Sequence, residues 1–217
     1  MPSILARALR ERTRALHTQA ERSGLMQSLL RGEVDRAGYC ALLRNLYEIY
    51  SALEAALVQH RSHAWIAPLA LTGLARTPAL AADLQALHGE GWADALPVRT
   101  ATRGYVERIH AIERRSPGLL AAHAYVRYLG DLSGGQVLRG TVCRCLGLSG
   151  EQGMAFYNFG VPEAAQWLRQ HFRQGLGAIQ ADSEGVEQLV AEAQWSFRAH
   201  AELFLQLAPR PGALADP

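Results

Sequence analysis

Read for the spacing of its apolar positions, the chain is helical from end to end. Ile4, Leu5, Leu9 and Leu16 mark a first segment over about residues 3–22. A turn through Ser23 and Gly24 leads to Met26, Leu29 and Leu30, and Gly32 breaks that pattern. Asp35 is a good N-cap for a long segment ending near His60. Its Tyr39, Leu42, Leu43, Leu46, Tyr47, Ile49, Tyr50, Leu53 and Leu57 form a stripe wide enough that the helix must be largely buried. Thr77 and Ser116 each precede a proline, the cap-then-N1 order that opens a helix, and they predict segments over 79–88 and 118–148. An amphipathic stretch over 97–115 lies between them. Ser149 and Gln152 have capping-box spacing, Pro162 with Glu163 begins a helix through about Gln180, and a last helix covers about 183–207. Strand signals are nearly absent, and no repeat, low-complexity tract or separating linker appears. The expectation is one all-α domain over 1–217, with a frayed end from about 208.

One stretch is costly for a helix. From Ala124 to Leu138, AYVRYLGDLSGGQVL keeps apolar and aromatic residues at roughly helical spacing yet places Gly130, Gly134 and Gly135 in the middle. Each interior glycine costs about 1 kcal/mol relative to alanine, so three cost roughly 3 kcal/mol out of a total stability of about 5–15 kcal/mol. In a chain this rich in alanine, the glycines let the backbone approach something more closely than a Cβ allows, and let the helix bend. A close helix–helix crossing at small residues is the plainer explanation. Asp131 and Arg127 count against it, because a tight apolar crossing has no use for polar groups beside the glycines.

Composition narrows the ligand classes. The formal net charge is +2 with no long run of one sign, which argues against a nucleic-acid partner. All 22 basic residues are arginine, so every anion contact comes from a planar guanidinium suited to bidentate pairing with carboxylates. Cys40, Cys143 and Cys145 are odd in number and lack CxxC spacing, so neither a disulfide framework nor a zinc site is indicated. The opening MPSILARALRERTRALH has charges every few residues and no apolar core for a signal peptide, and no segment approaches the roughly 18 apolar residues of a membrane span. A cytoplasmic protein without membrane contact is expected.

Two groups of side chains could carry chemistry. His17 is followed one turn later by Glu21 and preceded by Arg14 and Arg10, so all four lie near one face. A ligating imidazole needs its second nitrogen held by an acceptor, and Glu21 is placed to supply it. An exposed histidine in an ion-paired face is the plain alternative. It suits the other histidines, His60, His63, His88, His110, His123, His171 and His200, which are assigned to solvent or core. Arg169 and Arg173, four apart, reach the same side of their helix.

YLGDLSGGQVL resembles the distal helix of the heme oxygenases, and HTQAE, His17 to Glu21, is similar to that family's proximal motif. Weaker similarity extends from about Arg10 to Phe204. The resemblance implies a helical bundle holding heme between an N-terminal proximal helix and a kinked glycine-rich distal helix, with His17 as the iron ligand. It implies oxidative cleavage of heme to biliverdin, expected to be the IXα isomer, with release of iron and CO. The reaction would consume O2 and electrons from a donor protein, a ferredoxin or a flavin reductase. Backbone at Gly130 and Gly134 would lie over the oxygen-binding face, and Asp131 would hold the water that passes a proton to bound oxygen, with Arg127 and Tyr50 as its hydrogen-bond partners. Arg10, Arg169 and Arg173 would hold the propionates, at positions where the family often has lysine. Met26, Tyr125, Phe156, Phe197 and Phe204 would line the pocket, although ordinary core packing accounts for the apolar ones nearly as well. Membrane-anchored members carry a hydrophobic C-terminal tail, whereas this chain closes with APRPGALADP.

Other readings remain. A heme carrier that never degrades its ligand would keep His17 but has no need of Asp131. A diiron carboxylate bundle requires ExxH pairs on two helices, and only Glu107 to His110 has that spacing. A cofactor-free helical enzyme related to thiamin-degrading proteins, or a helical interaction module, leaves HTQAE and GDLSGG unexplained together.

Overall fold

The computed structural model describes residues 3–149 and 152–208, and among these all regular structure is helical. The order is α1 (Ile4–Glu21), α2 (Gly24–Arg31), α3 (Arg36–Gln59), α4 (Thr77–Leu87), α5 (Trp92–Ala95), α6 (Thr100–Arg115), α7 (Leu120–Leu146), α8 (Pro162–Ala178) and α9 (Ser183–Gln206). The expected frayed end lies outside the described residues, apart from Ala208.

Several ends form as the local sequence dictates. Ser3 caps α1 by accepting from the Ala6 N–H at 3.2 Å, and Asp35 caps α3 through the Gly38 N–H at 2.7 Å. Gly32 closes α2 in the left-handed conformation, with φ 73°. Gly24, with φ 45°, turns the chain onto α9, where a Cβ would stand 2.0 Å from the Phe204 carbonyl oxygen. Only glycine permits that approach.

Other ends are set from a distance. Thr77 does not cap α4 with its side chain; its hydroxyl is buried without a partner. Glu54 of α3 caps that helix instead, accepting from the N–H groups of Arg76 at 2.5 Å and Thr77 at 3.2 Å. Ser116 likewise caps nothing, because a single 3-10 turn over Pro117–Leu119 precedes α7. The 97–115 stretch becomes helical only at Thr100: buried Asn45 of α3 satisfies the Pro97 carbonyl and the Arg99 N–H, so extended backbone is already paired there. The capping-box spacing at Ser149 and Gln152 starts no helix. Residues 152–161 are turns and bends, and α8 begins at Pro162.

α1 lies along α9, α3 packs on α4 and α6, and α7 touches α2, α3, α8 and α9, which places it through the middle of the bundle. Its helix continues through Gly130, Gly134 and Gly135, none of which has positive φ. No helix among the described residues is long and apolar enough to cross a membrane.

Candidate active site

A cavity of about 280 Å³ opens among α1, α2, α7 and α9, with the rest of its wall supplied by Leu42 and Leu46 of α3 and by Phe156 and Tyr157 of the 152–161 segment. His17 of α1 stands at its edge and also lines a wider groove containing Arg10, Tyr125, Arg169 and Arg173. One imidazole therefore sits where an apolar slot meets a cationic cleft. Arg10 and Arg173 act on Tyr125, whose hydroxyl is pushed up by burial and drawn back by a hydrogen bond with Thr13 and by the two guanidiniums.

The glycines divide in two. A Cβ built on Gly130 or Gly134 meets nothing within 4 Å, so these two leave free volume on the cavity side and do not serve a helix crossing. At Gly135 a Cβ would come to 3.2 Å from Tyr157 Cδ1, so that glycine serves close packing, though against an irregular segment and not a helix crossing.

Asp131, Arg127 and Tyr50 form a closed buried triad. The Tyr50 hydroxyl donates to Asp131 Oδ2, Arg127 Nε donates to the Tyr50 oxygen at 3.1 Å, and Arg127 Nη2 donates to Asp131 Oδ1 at 3.1 Å. Burial pushes the Tyr50 hydroxyl well above its usual range, so it keeps its proton and remains the donor. The Asp131 carboxyl is also pushed up by burial, against the opposing pull of Arg127 and the Tyr50 hydrogen bond. Burial works against the Arg127 charge, but Tyr50 and Asp131 outweigh it and hold the guanidinium protonated. Asp131 and Arg127 both face the cavity.

His17 places Nδ1 3.5 Å from Glu21 Oε2, and its ring meets Phe197 edge-on at 5.6 Å. Its side chain is 51% exposed, which leaves the imidazole accessible from the cavity edge. Met26, Phe197 and Phe204 line the same space. Glu107 and His110 lie exposed on α6, where no buried diiron centre could form.

Among the cavity residues that the sequence reading did not assign to the site, one is a histidine. His200, assigned there to solvent or core, is buried with its ring against Tyr105, and it lines the cavity. Nδ1 donates to the Ser196 carbonyl at 2.9 Å, and Nε2 is buried with no protein partner. Burial and the nearby Arg127 push its pKa well down, so the ring is neutral and Nε2 is an acceptor. The signal was present: Phe197, His200 and Phe204 stand at i, i+3 and i+7 on one face of α9.

The arrangement has the features that heme demands: an apolar slot, an imidazole at its edge, cations for two carboxylates, and a backbone stretch kept free of Cβ atoms. The sequence model of the family described as Heme oxygenase matches residues 3–206. The chain is 41% identical over 207 residues to the heme oxygenase of Porphyra purpurea, covering 95% of this chain and 88% of that protein. With human heme oxygenase 1 the identity is 36% over 209 residues, covering 95% and 73%. Among solved structures, heme oxygenase-2 from Synechocystis sp. PCC 6803 in complex with heme and NO superposes with a TM-score of 0.89 at 37% identity, covering 94% of this chain and 84% of that one. The heme oxygenase from Leptospira interrogans gives 0.89 at 33% identity, covering 93% and 98%.

Proposed function

Since the chain belongs to the heme oxygenase family, whose members degrade heme to biliverdin, we propose that His17, the Asp131 triad and three arginines divide the work of that reaction. Heme, substrate and cofactor at once, supplies the iron that activates O2 and the porphyrin edge that is oxidised. His17 is the iron ligand in this reading, oriented by Glu21 at Nδ1 so that Nε2 is the coordinating atom. Arg10, Arg169 and Arg173 take the propionates, and Tyr125 packs beside them.

Asp131 is the proton-handling group. Tyr50 and Arg127 fix its carboxylate, which leaves it to organise water on the cavity side. A proton relayed through water is a gentler donor than a carboxylic acid placed directly on the reacting oxygen. The open faces of Gly130 and Gly134 would let the backbone come close to bound heme, an approach that Cβ atoms would hinder. Cleavage at the α-meso carbon, giving biliverdin IXα, follows if the arginines set the in-plane rotation of heme. Electrons come from an external donor protein, a ferredoxin or a flavin reductase. The unpaired cysteines fit a reducing compartment, the cytoplasm.

The observation that carries this reading is that one cavity collects His17 from α1, the open faces of Gly130 and Gly134 from α7, and the Asp131 carboxylate. Purified protein titrated with hemin should develop a Soret band that bleaches on reduction in air, with biliverdin as product. Asp131→Ala should bind hemin as tightly as the parent and produce biliverdin on the order of 100-fold more slowly. An unchanged biliverdin rate in that variant overturns the role given to Asp131.

A further inference from the structure

The 152–161 segment has no regular structure, yet Met154, Phe156, Tyr157 and Phe159 on it are all buried and two of them wall the cavity. Irregular buried backbone needs its polar groups satisfied from elsewhere. Here α4 and the residue before it do so at successive points. Gly153, with φ 76°, lies so close to Leu87 that a Cβ would stand 2.6 Å from Leu87 Cδ2. Asp83, buried, accepts from the N–H groups of Ala155 at 2.7 Å and Phe156 at 2.8 Å. Arg76, also buried, donates through Nη1 to the carbonyls of Phe156 at 3.3 Å and Asn158 at 2.8 Å. Its Nε and Nη2 bond the carbonyls of Gly73, Leu74 and Ala75, and its guanidinium lies 4.0 Å from the Phe159 ring centre. The backbone of Phe156 is thus held on both sides, at N–H by an anion and at C=O by a cation.

What that clamp holds in place is chemical. The Phe156 ring meets Tyr50 edge-on at 5.7 Å, and Tyr50 is the donor to Asp131. The Tyr157 ring rests on Gly135, and the Tyr157 carbonyl accepts from Gln136 Nε2 at 3.1 Å. Phe156 and Tyr157 thus stand between α4, which holds their backbone, and the glycine-rich part of α7, and they bear both on the cavity wall and on Tyr50 of the triad. We propose that Arg76 and Asp83 are positioning residues for the selectivity of heme cleavage, acting through Phe156 and Tyr157. This rests on the assignment of the Asp131 cavity made above. Neither residue touches the cavity through its charged atoms, so neither handles protons of the reaction.

The test uses hemin-loaded protein, with biliverdin isomers separated by chromatography and the water-to-hydroxide transition of the ferric form followed by absorbance against pH. Arg76→Lys keeps the charge but loses the fork that spans several carbonyls. It should raise the share of minor isomers about fivefold, the shift given by losing roughly one hydrogen bond, and displace the pH of the hydroxide transition. Asp83→Asn loosens the same peptide from the other side and should shift the same isomers, which gives an independent reading if Arg76→Lys does not accumulate. Phe156→Leu should reproduce the pattern, and adding Arg76→Lys to it should change the ratio little, because both act at one place. If Arg76→Lys and Asp83→Asn lower only the melting temperature and leave isomer ratio and hydroxide transition at parental values, the two residues are plain staples and the inference fails. If the parent itself yields no biliverdin, it is the earlier assignment that fails.

Discussion

His17 and Asp131 are alike in being polar residues at a cavity edge, but their surroundings give them different tasks. His17 is half exposed and loosely tied, by a contact of 3.5 Å to Glu21 and an edge-on ring contact with Phe197, so its replacement would remove the proposed ligand without disturbing the bundle. His17→Ala should therefore fold normally and still take up hemin in the slot formed by the other helices. The spectrum should change to a high-spin or water-bound form, and turnover should collapse. Added imidazole should partly restore both; parental spectra in the variant would rule out His17 as the iron ligand. Asp131 is the opposite case, buried and tied to two partners, so its loss should register in the chemistry and not in affinity. His200 shows what a residue-by-residue reading omits. Among eight histidines the default of solvent or core is reasonable, and only the packing of α9 beside α7 brings His200 to the cavity wall.

At the scale of the element, α7 carries the tension between folding and function. The open positions at Gly130 and Gly134 mean that alanine would meet no protein atom there and would improve the helix by about 1 kcal/mol per site. Gly134→Ala should accordingly melt higher than the parent when free of heme, while binding hemin more weakly. Gly135→Ala should not be stabilised, because its Cβ would press on Tyr157 at 3.2 Å. Thermal unfolding of the two variants with and without hemin separates these cases. If Gly134→Ala binds hemin as the parent does, the backbone there does not lie close to the substrate. The residue pattern predicted α7 over 118–148, within two residues of the observed Leu120–Leu146 at each end, but could not say which glycine faces the cavity and which packs on Tyr157.

At the scale of the whole molecule, α6, α7 and α9 are tied together by an ionic knot around buried Glu192 and His123. Glu192 of α9 accepts from Arg108 of α6 through Nε at 3.0 Å and Nη2 at 2.6 Å, and lies 3.0 Å from His123 Nε2 of α7. His123 Nδ1 meets the Tyr105 hydroxyl at 2.8 Å, which in turn meets Ser196 Oγ at 2.5 Å. Burial alone would raise the Glu192 pKa, but the hydrogen bonds from His123 and Arg108 outweigh it and bring it from an ordinary 4.5 down to about 2. A carboxyl depressed on folding contributes stability above its unfolded pKa and loses it as pH falls through the folded one. The contribution is on the order of 3 kcal/mol and should disappear between about pH 4.5 and 2. Urea titrations at a series of pH values should show that loss in the parent. Glu192→Gln should be less stable at neutral pH and nearly flat across that window; an equally steep acid loss in the variant would assign it to other carboxylates.

What the sequence determined by itself was whatever depends on neighbours along the chain. Apolar spacing and local caps such as Ser3, Asp35 and Gly32 specify the long helices, because their hydrogen bonds close within a turn. Two contiguous motifs, HTQAE and YLGDLSGGQVL, were enough to indicate heme, since each holds its chemistry within a few residues. What the tertiary structure decided depends on groups far apart in sequence. Glu54 caps α4, Asn45 delays the start of α6, Arg76 and Asp83 hold a loop some 70 to 80 positions away, and His200 joins the cavity of α7. Each is a polar group satisfied across the bundle, and one-dimensional periodicity is blind to such pairs, because burial obliges a polar atom to find a partner without fixing where along the chain that partner lies.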